Sequence, residues 1–395
     1  MTNTKLFRGT VLSLLASSFL FSSCTSRVPT GASDNSTGSQ AAKVPSLSND
    51  AWPLFRGDAQ ATGVAKGDLP EKLEFLWRFT PPKGEFESTA VIAEGIVYVG
   101  GLDGNLYAVE LASGQKRWIF STHSTFKASP GVDQGRVLIG DTDGRFYCVD
   151  AATGKELWNF DTGGEIDSSP NFHGTNVIFG SRDYNVYCLD AAAGEPAWKF
   201  ECDYEVRCFC SMLDGRCYVG GCDQKLHVLD LTTGKQLSEV EIDSPTGSAP
   251  AIFNGIIYLG AQSGEFYAID AKLSKVLWRC RPEKDVSEDI SSAAVTAEAV
   301  IVGSKDKIVR ALDSKTGRPL WAFATKGRVD SSPVVVGRRV FVGSADGRLY
   351  ALDLKTGRKL WDYQAGGAIL ASPAVAAGRL VIGTTQGDLL CFGAK

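Results

Sequence analysis

Chemistry in a folded chain begins with its nucleophiles, titratable groups and metal ligands, and this sequence is rich only in one of them. Among 395 residues there are three His and ten Cys. So few imidazoles leave little scope for histidine metal sites or proton relays. The sequence contains no G-x-S-x-G elbow, no H-E-x-x-H and no P-loop. Asp141-Thr142-Asp143-Gly144 opens like a calcium loop, but its glycine comes too early and Ala152 stands where the closing Glu belongs. The formal charge of −4 offers no basic surface to nucleic acid. These absences tilt the reading away from an enzyme and toward a binding protein, with no metal or cofactor expected.

The elements that must position any site are set by a repeat. Trp77, Trp118, Trp158, Trp198, Trp278, Trp321 and Trp361 stand about forty residues apart, with Ser238 in the one missing slot. Around each lies one cassette, clearest from Ser332-Pro333 through Val340-Phe341-Val342-Gly343, Asp346-Gly347, Leu349 to Asp353 and Thr356-Gly357 to Leu360-Trp361. Four β-rich runs separated by three turn signals make one propeller blade. The Asp-Gly pairs at Asp103, Asp143 and Asp346 predict two-residue type I′ hairpins. Seven cassettes are complete, and an eighth ends after three strands at Lys395. Its fourth is predicted at the other end of the chain, in Leu73 to Phe79, which carries the same Leu-Trp signature. The expectation is an all-β, eight-bladed β-propeller over 51–395, closed by that N-terminal strand and monomeric.

The first fifty residues read differently. Lys5 and Arg8 precede an apolar run from Val11 to Phe21, too short to span a bilayer but suited to a signal peptide over 1–23. Phe21-Ser22-Ser23-Cys24 resembles a lipobox, which makes Cys24 the expected lipidation site. A Ser-, Thr- and Gly-rich tether follows within 24–50. Ser26, two after Cys24, is not an aspartate, and by resemblance to lipoprotein sorting rules this favours the outer membrane.

The cassettes resemble the PQQ-like repeat family, through Leu349-Tyr350-Ala351-Leu352-Asp353 and through Cys148-Val149-Asp150 followed by Thr153-Gly154. The lead-in Trp52-Pro53-Leu54-Phe55-Arg56-Gly57 is similar to one common in that family. A single lipidated propeller of this kind implies a periplasm-facing scaffold that binds envelope or outer-membrane proteins. The family's quinoprotein dehydrogenases are longer and carry adjacent cysteines, a calcium and a catalytic aspartate. No two cysteines are adjacent here, Cys208-Phe209-Cys210 coming nearest, so neither PQQ nor calcium is expected.

Stacking the eight copies separates shared slots from individual ones. The aspartates at 150, 190, 230, 270, 313 and 353 recur, with Glu110 in the first copy, and are read as turn-stabilising acceptors. Cys148, Cys188 and Cys391 fill a slot that holds alanine elsewhere and are read as core residues. Cys202, Cys208 and Cys222 gather around the fourth blade, where a disulfide, free thiols or a metal site stay open, the last with no assigned histidine. The slot three before the inner-strand proline does not repeat. It holds Glu87, Lys127, Asp167, Arg207, Gly247, Ile290, Asp330 and Leu370. These charges are the candidate ligand- or partner-facing rim, and the longest inter-blade loop, with Glu283, Lys284 and Asp285, is a second candidate contact. The competing readings are a drifting, solvated slot, and a channel mouth that binds a small molecule or glycan.

Overall fold

The structure, a computed structural model, describes residues 51–281 and 291–395. The signal peptide, Cys24 and the tether lie outside the described residues, as does the loop with Glu283, Lys284 and Asp285. Strands of two to six residues form eight four-stranded antiparallel sheets, and among the described residues there is no helix. Blade 1 runs Val91–Ala93, Ile96–Gly100, Asn105–Glu110 and Lys116–Ser121, innermost to outermost. Blades 2 to 7 repeat it in chain order, from the innermost strands Gly131–Asp133, Asn171–His173, Ser211–Leu213, Ala251–Phe253, Ala294–Val295 and Val334–Val336.

Blade 8 closes the ring. Ala374–Ala376, Arg379–Gly383 and Leu389–Gly393 come from the C-terminus, and Glu74–Phe79 pairs against the last of them with Trp77 opposite Cys391. The splice hides one edge of each terminal segment in a ladder, as ring closure by sequence-distant strands requires. In every blade the middle strands are almost wholly buried and the outermost strand alternates exposed and half-buried, the period-2 pattern of a one-sided sheet.

Adjacent blades are latched by the tryptophans. Six of the seven rings, all but that of Trp361, lie over the glycine of the next blade's outer turn, so that a Cβ at Gly154 would meet Trp118 at 2.6 Å and one at Gly194 would meet Trp158 at 2.7 Å. Those glycines also sit at positive φ, 73° at Gly154 and 75° at Gly194. The indole N–H then donates to a carbonyl of that turn, at 2.9 Å from Trp118 to Ala151 and 3.2 Å from Trp158 to Ala191. The recurring aspartates cap the same turns: Asp150, Asp230, Asp313 and Asp353 each accept the backbone N–H and the hydroxyl of the threonine three residues on.

The inner hairpin differs from the expected two-residue type I′ turn. Gly101 N–H donates to Asn105 O at 2.8 Å and Gly104 N–H to Gly101 O at 3.2 Å, which makes a three-residue loop with only Gly104 left-handed, at φ 78°. A type I′ turn needs two left-handed residues. Here the aspartate stays right-handed because its carboxylate accepts the N–H two residues on, as Asp103 does from Asn105 at 3.2 Å.

Candidate functional site: the mouth of the channel

The non-repeating slot is fixed in space by repeating neighbours. The residue just before it is fully buried in each described blade connection: Phe86, Phe126, Ile166, Val206, Thr246, Val329 and Ile369. Each donates its N–H to the inner hairpin of the preceding blade, for instance Phe126 to Gly101 at 3.1 Å and Ile166 to Asp141 at 3.0 Å. Each also fills the space a side chain would need at the glycine ending the preceding blade's second strand. A Cβ at Gly140 would meet Ile166 at 2.2 Å, and one at Gly343 would meet Ile369 at the same distance. Buried residue and glycine together hold the backbone, and the next side chain is turned to the channel.

Glu87, Lys127, Asp167, Arg207, Gly247, Asp330 and Leu370 therefore line one cavity of about 380 Å³. Ile290 lies outside the described residues. Below the rim a circle of hydroxyls links the blades. Thr89 N–H donates to Ser129 Oγ at 3.1 Å and Ser129 N–H to Ser169 Oγ at 3.0 Å; on the other side Ser292, Ser332, Ser372 and Thr89 continue in the same way. Phe209 and Ala249 interrupt the circle, and there Phe55 and Ala61 pack in from the lead-in segment, with the Phe55 and Phe209 rings 6.0 Å apart.

The floor beneath is that lead-in. Trp52 exchanges backbone hydrogen bonds with Ile92 in blade 1; the carbonyls of Pro53, Ala59, Gln60, Thr62 and Gly63 then accept N–H groups of Val132, Met212, Ile252, Val295 and Val335 at 2.8–2.9 Å. In blade 3, Asn171 Nδ2 reaches Ala59 O at 3.0 Å. One segment thus satisfies the inner edges of six blades and takes a side-chain bond from blade 3, where Asn171 Oδ1 accepts from Phe172 N–H instead. Arg56 is fully buried in it, donating to the carbonyls of Ser332 at 3.1 Å, Ala293 at 3.0 Å and Pro333. Burial pushes its guanidinium down to about 9, and Asp58 offsets only part of this.

Most rim charges are held by neighbours on the same surface. Arg182 pairs with Asp167 at 2.5 Å and with Glu165 at 2.9 Å, and Lys127 stands 3.9 Å from that same Glu165. Arg207 pairs with Glu205 through Nε at 2.7 Å, and Arg328 with Asp330 at 2.7 Å. Charge alternates along blades 1 to 4, and Gly247 and Leu370 are uncharged, with Asp330 between them in the ring. Such pairing fixes the orientation of the charged side chains at the mouth.

Of the three blade-four cysteines, Cys202 and Cys208 lie in one buried cluster with Cys210 and Cys217. All nine described cysteines are free thiols. Cys208 is buried and donates to Gly220 O at 2.8 Å, while Cys222 is half-buried in the hairpin turn; burial pushes both thiols up. Cys202 also stands beside Asp223 and His227. Sequence reading missed this histidine, and the signal was in the repeat: His227 fills the slot of Tyr107, Tyr147, Tyr187, Tyr267 and Tyr350. The seven tryptophans serve the blade junctions and not the mouth.

With this geometry in hand, the chain was compared with known proteins. The family model for outer membrane protein assembly factor BamB matches residues 74–166, 102–250 and 222–395. The chain belongs to this family. Among solved structures, BamB from Moraxella catarrhalis is 20 % identical with a TM-score of 0.71, covering 82 % of this chain and 98 % of that one. The computationally designed Ika8 protein is 19 % identical at a TM-score of 0.71, covering 81 % of this chain and 100 % of its own. A quinohemoprotein alcohol dehydrogenase from Comamonas testosteroni is 16 % identical at 0.75, covering 87 % of this chain and 80 % of that one. A search of the curated proteins finds no match. At these identities the structural likeness speaks to the fold, which BamB, a designed protein and an oxidoreductase share, so function has to be argued from the site.

Proposed function

We propose that this BamB-family propeller is a non-catalytic scaffold of the cell envelope, acting in outer-membrane protein assembly and binding its protein partner at the channel mouth. One observation carries the reading. Seven blade connections share a fixed backbone, held by a buried residue at one position and a glycine at another, yet present six residue types at the mouth, aspartate alone recurring. A constant frame with a variable, charged rim is how a rigid protein encodes a specific partner. The sealed floor fits this role, because a partner has to engage from the mouth side. The chain is held to the outer membrane, facing the periplasm, by lipid on Cys24. The test is charge reversal at three positions, Asp167→Lys, Arg207→Glu and Asp330→Lys. Partner capture from the native envelope falls at least tenfold on this reading, and undiminished capture overturns it.

A second reading has its own support: the cavity beneath the rim is walled by hydroxyls and is large enough for a small polar molecule or a sugar. It requires a saturable ligand whose binding fails in Ser129→Val or Ser332→Val. The scaffold reading predicts that neither change affects partner capture.

A further inference from the structure

We propose that Cys202, Asp223 and His227 form a zinc-binding clamp between blades 3 and 4. Cys202 directly follows the outermost strand of blade 3, Pro196–Glu201, while Asp223 lies in the hairpin turn between Arg216–Gly220 and Lys225–Asp230 of blade 4 and His227 in the second of those strands. One ligand atom from each lies within 4.8 Å of the other two. The side chains of Asp223 and His227 are 3 % and 4 % exposed and Cys202 is 6 % exposed, so the group is removed from solvent. Tetrahedral zinc with thiolate, imidazole and carboxylate ligands sets neighbouring donor atoms about 3.3–3.8 Å apart. One thiolate and one carboxylate also neutralise the two charges of the ion, as a buried site requires.

The repeat supplies an independent observation. At other junctions the slots of Cys202 and His227 hold a threonine and a tyrosine, as in Thr162 with Tyr187 and Thr325 with Tyr350. There the threonine hydroxyl donates to turn carbonyls and the tyrosine hydroxyl donates to the turn aspartate. The scaffold bonds of this site are thus met elsewhere by hydroxyls, which are poor zinc ligands. Both hydroxyl residues are also replaced between blades 5 and 6, by Arg281 and Arg310, and between blades 7 and 8, by Ala365 and Leu390, but only between blades 3 and 4 are both replacements zinc ligands, around an aspartate kept in place. His227 is also oriented for the purpose. Its Nδ1 lies 3.3 Å from Gln236 Oε1, and its Nε2 lies 2.7 Å from Asp223 Oδ2. With Gln236 accepting from Nδ1–H, Nε2 is the metal-facing nitrogen, the outer partner that zinc-bound histidines normally have. The incoming ion displaces the Cys202 thiol proton and the proton shared by Nε2 and Asp223, releasing both to solvent. Three protein ligands leave a fourth position for water.

The clamp is independent of the scaffold reading and is tested without any partner. Full-length protein stripped with chelator is titrated with Zn²⁺ by calorimetry and with Co²⁺ by absorbance. One equivalent of Zn²⁺ binds, and Co²⁺ gives a thiolate charge-transfer band in the near ultraviolet. The variants Cys202→Thr and His227→Tyr carry residues the repeat itself uses at these slots, so they keep the fold, as circular dichroism of the metal-free proteins will show. Each lowers zinc affinity at least 100-fold, and Cys202→Thr abolishes the cobalt band. No saturable zinc binding by the parent protein overturns the proposal. So does binding that survives both variants, or that depends on Cys222 and not on Cys202.

Discussion

Two sectors of this ring reach the same blade geometry by different means. From blade 1 to blade 4, and again from blade 5 to blade 7, each junction is a tryptophan laid on a glycine, with the indole N–H on a turn carbonyl. Between blades 4 and 5 neither partner is present. Ser238 replaces the tryptophan and Ser274 the glycine, and their hydroxyls meet at 2.6 Å. Both halves of the latch have changed together, as a steric fit demands: without the indole, the turn no longer needs a residue lacking Cβ. The hydroxyl circle at the mouth is broken on the same side, at Phe209 and Ala249, where Phe55 and Ala61 fill in. A repeat fold tolerates loss of its signature where a local substitute restores packing, and at this irregular side Arg207, the cysteines and His227 accumulate.

The comparison is most directly broken by removing a latch. Trp158→Ala loses an aromatic contact and a hydrogen bond and is expected to cost about 3 kcal/mol, against under about 0.5 kcal/mol for Ser238→Ala; urea denaturation of both variants decides. Gly154→Ala places a methyl against Trp118 at positive φ and is expected to cost about 2 kcal/mol, while Ser274→Ala has no indole to meet and stays within about 0.5 kcal/mol. Installing the latch sharpens the contrast. Ser238→Trp and Ser274→Gly are each unfavourable or neutral alone, and together they couple favourably by about 1 kcal/mol in a double-mutant cycle.

Alkali probes the same division. Burial, with a smaller contribution from Glu94, pushes Tyr98 up to about 12, and burial together with hydrogen-bonded carboxylates raises Tyr107, Tyr147, Tyr187, Tyr267 and Tyr350 as well. The folded chain keeps these phenolic protons at a pH where the unfolded chain releases them. Stability from this source is therefore complete below about pH 10 and falls as pH rises through 12. Denaturation midpoints at pH 9, 10 and 11 check this, and His227→Tyr is expected to steepen the fall. The rim, too, contributes little to stability. Reversal of Asp167, Arg207 and Asp330 together is expected to shift stability by under about 1 kcal/mol.

Most of the fold was legible because eight copies act as an internal alignment. Strand order, blade count and the closure of blade 8 by Trp77 all follow from one spacing. The rim slot stood out for the converse reason, as a position whose neighbours repeat while it does not. The lead-in floor was illegible: Pro53, Ala59, Gln60 and Thr62 act through backbone carbonyls, which leave no pattern of side chains. The hairpin type was misread because Asp-Gly fits two turns, and the aspartate's own bond to Asn105 selects the longer one. The cysteines were legible only in part: Cys202 and Cys208 lie around the fourth blade, but spacing gives no sign that Cys202 faces His227, which stands in a tyrosine slot.

Co-purification of the full-length protein from its native envelope in mild detergent, read by mass spectrometry, tests the proposed function most directly. The account predicts outer-membrane barrel-assembly proteins in stoichiometric amounts with the parent chain, and their loss when Asp167, Arg207 and Asp330 are reversed. A protein recovered without partners, or partners retained by the reversed rim, would contradict it.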